Sequence, residues 1–130
     1  MKEPKYVLDA NAFINMQRHH PHDVFVSLWS KMANLIDEGL VISADEVFDE
    51  LSAGDDFLLK WVKQRKSAFI PSGHDIQYLV RDILQKYPTL VTGSRKANGS
   101  DPFVIALAKL KNCTLVSDET RAGDGQPVKI

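Results

Sequence analysis

Asp9, Glu50, Asp101 and the neighbouring pair Asp118 and Glu119 are the residues of this 130-residue chain whose chemical type and setting offer catalysis. Each stands at a structural transition. Asp9 ends the β-prone run Lys5-Tyr6-Val7-Leu8, Glu50 falls on the helix expected after Leu40-Val41-Ile42, Asp101 opens a helix, and Asp118 and Glu119 follow Thr114-Leu115-Val116. Carboxylates gathered within ~4–6 Å of one another repel, and their pKa values rise unless a positive charge sits among them. A hard divalent cation meets that demand. Mg²⁺ prefers oxygen ligands and keeps several waters, so it can present an activated water to a phosphodiester while bridging the phosphate oxygens. The chemistry on offer is phosphodiester hydrolysis without a protein nucleophile.

Positioning such acids requires strands that end side by side. Four short β-prone runs alternate with helical patterns: Lys5 to Leu8, Leu40 to Ile42, Ala68 to Ile70 and Thr114 to Val116. After Pro21, Asp23 is the expected N-cap of a helix with Val24, Phe25, Leu28, Trp29, Met32, Leu35 and Ile36 on one face, closed by Gly39. Ser43 with Glu46 three residues on forms a capping-box pattern for a helix reaching about Leu51. Asp55 or Asp56 caps the next helix, Asp75 opens another that Pro88 ends, and Asp101-Pro102 is a helix start with a capping side chain and proline at the first position. Thr89 to Ser100 reads as a mobile polar loop. This alternation implies an α/β domain with a parallel sheet of four to five strands and helices on both faces, and ligands lie beyond the carboxyl ends of such strands.

The length suits one domain over 1–130. Pro127-Val128-Lys129-Ile130 reads as the start of a fifth strand, so a closing strand or helix is expected to be cut short. No apolar run approaches the ~20 residues of a membrane span and the beginning lacks a secretory h-region, which points to a cytoplasmic protein. The one cysteine, Cys113, excludes an internal disulfide and reads as a structural thiol. A net charge of -1 excludes gripping a polyanion by bulk electrostatics, leaving local contacts or bound metal.

Four segments, taken in order, resemble the PIN-domain family. Val7-Leu8-Asp9-Ala10-Asn11-Ala12-Phe13-Ile14 looks like its opening motif, Glu50-Leu51 after Ile42-Ser43 its second, and Ser100-Asp101-Pro102-Phe103-Val104-Ile105-Ala106-Leu107-Ala108 its third. Leu115-Val116-Ser117-Asp118-Glu119 looks like the fourth, a strand followed by a hydroxyl residue and an acid. The resemblance implies a three-layer α/β/α fold and a Mg²⁺- or Mn²⁺-dependent endoribonuclease, similar to the VapC-like toxins of prokaryotic toxin–antitoxin modules. By that pattern Asp9 and Asp101 are direct metal ligands, Glu50 is a ligand or orients one through water, and the fourth acid completes the site. Spacing from Ser117 favours Glu119 over Asp118 there, while Asn11 and Ser117 match supporting polar positions. An RNA substrate, a protein antitoxin and a homodimer are implied by the resemblance alone.

Plainer roles compete at several of these residues. Asp101 alone serves equally as a cap, and Glu46 reads first as the partner of Ser43 and second as a site residue beside Glu50. Asp45 and Asp49 read as solvated. His19, His20 and His22 lack the spacing of a zinc site and read as a solvated turn. Lys60 to Lys66 with Trp61 reads as a basic surface over a buried ring, whereas Arg95 and Lys96, just before Asp101, are better placed for RNA phosphate. A phosphotransfer or phosphatase domain also puts acids at strand ends. Such domains need a second acid near the first or a phospho-accepting aspartate after the third strand, where this chain has Asn11 and Pro71-Ser72. A catalytically inactive PIN-like binding protein is the other alternative, and acids at all four motifs weigh against it.

Overall fold

The computed structural model describes residues 3–54, 56–87 and 101–117, with only the backbone of Asp101. Four short strands, β1 (Tyr6–Leu8), β2 (Val41–Ala44), β3 (Phe69–Ile70) and β4 (Thr114–Val116), form one parallel sheet in the order β3-β2-β1-β4. Tyr6 pairs with Val41 on one side and Thr114 on the other, and Ser43 pairs with Phe69. Side chains alternate between the two faces of a strand, so the burial of all four β2 residues means that helices cover both faces there. The α/β architecture expected from the sequence is the one found.

Helices connect and cover the strands: α1 (Ala10–His19), α2 (Val26–Asp37), α3 (Asp45–Ser52), α4 (Asp56–Lys63), α5 (His74–Lys86) and α6 (Asp101–Lys111). Helix α6 packs on β1, β2, β4 and α5, while α3 packs on β2, β3, α1 and α4. Phe13, Leu51, Leu58, Val62, Val104 and Leu107 are among the fully buried side chains. An aromatic ladder joins the elements that carry few strand hydrogen bonds. Trp29 of α2 meets Trp61 of α4 edge-on at 5.1 Å, and Trp61 and Phe69 flank Phe13 of α1 at 6.4 and 6.0 Å.

Two helices end through left-handed residues. Gly39, at φ 86°, follows α2, with its own N–H bonded to the Ile36 carbonyl and that of Leu40 to Leu35. Asn112, at φ 57°, does the same after α6, where Cys113 N–H reaches the Ala108 carbonyl and Asn112 N–H that of Lys109. Cys113 is half-buried and its Sγ donates to the Pro4 carbonyl at 3.4 Å; burial pushes the thiol up from its ordinary pKa, against a smaller opposing effect of Lys111. Tyr87 leaves the helical region because it precedes Pro88, whose ring disfavours it there.

Several local expectations need correction. Helix α2 starts at Val26, not after Asp23, because the Pro21 carbonyl takes the N–H groups of Val24 and Phe25 in a turn and leaves both side chains exposed. Ser43 does not cap α3. It belongs to β2, extended by pairing with β3, and its buried hydroxyl donates to the Leu8 carbonyl; the N-cap is Ala44, with no side-chain bond. Helix α5 begins one residue before Asp75. The histidine turn is solvated at His19 and His20, as expected, but His22 is packed: it stacks on Phe57 with centroids 3.6 Å apart, and the Trp29 indole donates to the His20 backbone carbonyl at 2.7 Å. The basic tract over a buried ring is found as expected, with Trp61 buried, Lys60 and Lys63 exposed and Arg65 over the ring at 4.4 Å, while Asp45, read as solvated, pairs with Lys66 at 3.5 Å. The connection from Thr89 to Ser100, the fifth strand at 127–130 and the cap Asp55 lie outside the described residues.

The left-handed positions give a direct test. Gly39→Ala is expected to lower unfolding stability by about 1–2 kcal/mol, the cost of placing a Cβ in that conformation, whereas Asn112→Gly is expected to be neutral or slightly stabilising. Urea unfolding of both variants checks this, with an unchanged denaturant slope.

Candidate functional site

The carboxyl end of β1 is where sequence, backbone and burial converge. Asp9 follows Leu8 directly, and its N–H extends the β1–β4 ladder to the Val116 carbonyl at 3.3 Å. The backbone then turns from extended to helical, and Asp9 becomes the N-cap of α1. Its Oδ1 accepts the Ala12 N–H at 2.8 Å, satisfying one of the amides that a helix start leaves open. Its Oδ2 accepts the Ser117 hydroxyl at 2.5 Å from the end of β4, 108 residues away in sequence. The residue is 3% exposed. A carboxylate this buried is costly unless hydrogen-bonded or paired, and donors from α1 and β4 meet part of that need. Capping of α1 by Asp9 is a role the sequence reading omitted, although an acid immediately before Ala10-Asn11-Ala12-Phe13 carries the ordinary N-cap signal.

The two other described acids of the candidate set, Glu46 and Glu50, stand in separate places. Glu46, in the first turn of α3, accepts the Ser72 hydroxyl with both carboxylate oxygens, at 3.0 and 2.8 Å. That bond ties it to the segment after β3. Nothing in the local pattern points to Ser72 beyond its place after a strand-ending proline. Glu50, two-thirds of the way along α3 and half-buried, lies on the wall of a cavity of about 500 Å³ between α1, α3 and α4. Asn11 is half-buried in the first turn of α1, and Ser117, though itself exposed, holds Asp9. The Ser43 hydroxyl braces β1 from the other side through the Leu8 carbonyl, one residue before Asp9.

Helix α6 packs on β1 and β2 and begins at Asp101, whose side chain lies outside the described residues, as do Asp118, Glu119, Arg95 and Lys96. Among the described residues no three His, Cys, Asp or Glu side chains gather as a metal-binding group. The donors that are described fit a hard cation in kind, since Asp9 and Glu50 both present carboxylate oxygen. His19, His20 and His22 sit at the opposite end of α1, with His22 bonded to Gln17, and His74 starts α5, so among the described residues no nitrogen-rich zinc group is gathered at this edge.

Comparisons with known proteins agree with this architecture. No curated protein matches the chain. Among solved structures it resembles a chain in the crystal structure of VapBC2 from Rickettsia felis bound to a DNA fragment from their promoter, with 18% identity over 88% of this chain and 86% of that one and a TM-score of 0.56. At that identity the likeness is one of fold, and it matches the PIN-like α/β arrangement expected from the sequence. The model for a domain of unknown function designated DUF4411 matches residues 6–130, all but the first five residues, and the chain belongs to that family.

Proposed function

We propose that this protein is a metal-dependent endoribonuclease, the toxin of a toxin–antitoxin pair acting in the cytoplasm. The observation that carries the reading is Asp9: a buried carboxylate at the end of a central parallel strand, fixed by a helix amide and by a hydroxyl from the neighbouring strand. Oriented acids at that edge serve cation binding, and a cation binds water and phosphate oxygens together. The solved VapBC2 assembly shares the fold, which supports a small protein antitoxin as partner. No helix among the described residues is long and apolar enough to cross a membrane.

In this reading Asp9 and Asp101 hold Mg²⁺ or Mn²⁺, with Glu50 and Glu119, or Asp118 in its place, completing the acidic set. Bound there, the dication would supply an activated water and charge neutralisation at the scissile phosphate. The chain's own residues set the geometry. Ser117 locks the Asp9 rotamer, Ser43 fixes the strand end beneath it, and Asn11 adds a polar group on the first turn of α1. Arg95 and Lys96 hold the RNA backbone, and Glu46, bonded to Ser72, supports the edge from β3. A homodimer completes the assembly. A phosphotransfer role is weaker here, because Pro71-Ser72 rather than an aspartate follows β3, and Ser72 is engaged by Glu46.

Two outcomes test the proposal. Asn caps a helix about as well as Asp, so Asp9→Asn is expected to keep the fold and abolish Mg²⁺- or Mn²⁺-dependent cleavage of a mixed RNA substrate, whereas Asp9→Ala also loses about 1 kcal/mol of stability with the cap. Cleavage by purified Asp9→Asn at the parent rate would contradict the mechanism. Millimolar Mn²⁺ is expected to raise the parent's melting temperature, an effect worth about 2.7 kcal/mol at a hundredfold excess over Kd, and Asp9→Asn is expected to show none. An equal shift in both would place the cation elsewhere.

A further inference from the structure

The cavity beside Glu50 has a makeup that the cleavage chemistry alone does not require. Its floor is apolar, from Ile14 of α1, Leu51 of α3 and Leu58 of α4, the latter two fully buried. Arg18, in the last turn of α1, stands at its border, and Glu50 at another. The volume of about 500 Å³ lies within the about 300–1,000 Å³ range of small-ligand sites. The walls are mainly helices, whose backbone groups are bonded internally, so no free ladder of amides and carbonyls is offered to an extended peptide. What the cavity offers is an apolar lining for a ring and, at Arg18, a guanidinium suited to phosphate. Arg18 lies about 13 Å along α1 from Asp9, at a rise of about 1.5 Å per residue, which places the cavity beside the cleavage edge instead of on it.

We propose that this cavity is a nucleotide subsite, with the base entering the apolar cavity lined by Ile14, Leu51 and Leu58 and the phosphate held by Arg18. Resting on the ribonuclease reading, it assigns the occupant as the nucleotide of the RNA that lies next to the scissile bond, on the Glu50 side. Glu50 joins the two sites, as part of the acidic set and of the cavity wall. Gly54 closes the rim, and a Cβ added there would meet nothing nearer than the Leu51 carbonyl oxygen at 3.9 Å, so a bulky residue at this position enters the opening without backbone strain.

The test is titration of the full chain with 5′-nucleoside monophosphates in EDTA, followed through the methyl resonances of Ile14, Leu51 and Leu58. Saturable shifts at these methyls are expected, lost in Gly54→Phe and weakened about tenfold in Arg18→Gln, a side chain at the surface whose replacement leaves the core untouched. The absence of shifts, or shifts confined to other surfaces, overturns the subsite. So does equal binding of a nucleoside lacking phosphate with no effect of Arg18→Gln, which marks instead a socket for an apolar side chain of a protein partner. Because EDTA removes the cation, binding without any RNA cleavage by the metal-loaded protein keeps the subsite and removes the ribonuclease reading. Cleavage without binding does the reverse.

Discussion

The hydrogen bonds of the Asp9 carboxylate hold together the three elements on which the site depends. Through one oxygen it starts α1, and through the other it fastens the end of β4 to the end of β1. Removing a charged group from water is unfavourable by several kcal/mol unless the fold supplies partners, so the position is sustained only when β1, α1 and β4 are assembled together. The same constraint makes the residue chemically useful. A carboxylate whose rotamer is fixed by protein donors meets a cation without first losing conformational freedom, as preorganised sites require.

Much of the architecture could be read from the chain. Alternation of short β-prone runs with amphipathic segments is enough for a parallel sheet, since parallel strands need helical crossovers and their two-sided burial leaves runs such as Val41-Ile42 without polar alternation. Gly39 announced the end of α2 because a left-handed residue is needed there. What escaped were features decided by distant partners. Ser43 carries a capping signal, yet pairing of β2 with β3 keeps it in the strand and turns its hydroxyl to Leu8. Val24 and Phe25 fit the apolar face of α2 by spacing, yet a turn closed by the Pro21 carbonyl leaves them outside the helix. His22 is polar by type, but Phe57, 35 positions on, supplies a ring for it to stack upon.

The candidate site divides in the same way. The strand-end placement of Asp9 and the helical placement of Glu50 follow from local pattern, and both are found where expected. Contacts made across the sheet, Ser117 to Asp9 and Ser72 to Glu46, join segments whose proximity no local pattern encodes. The second of these separates Glu46 from a simple capping role and draws it toward β3. The aromatic ladder from Trp29 through Trp61 to Phe13 and Phe69 has a related function: it fixes α1 and α4 against the sheet, and so shapes the cavity whose wall Glu50 shares.

Anomalous diffraction from crystals soaked in Mn²⁺ tests the central claim most directly, since it locates the ion without reference to activity. The account requires a Mn²⁺ peak within coordination distance of an Asp9 carboxylate oxygen, about 2.0–2.6 Å for hard-cation oxygen ligands. Occupied Mn²⁺ positions confined to other parts of the surface, with Asp9 bonded only to protein donors, would contradict it.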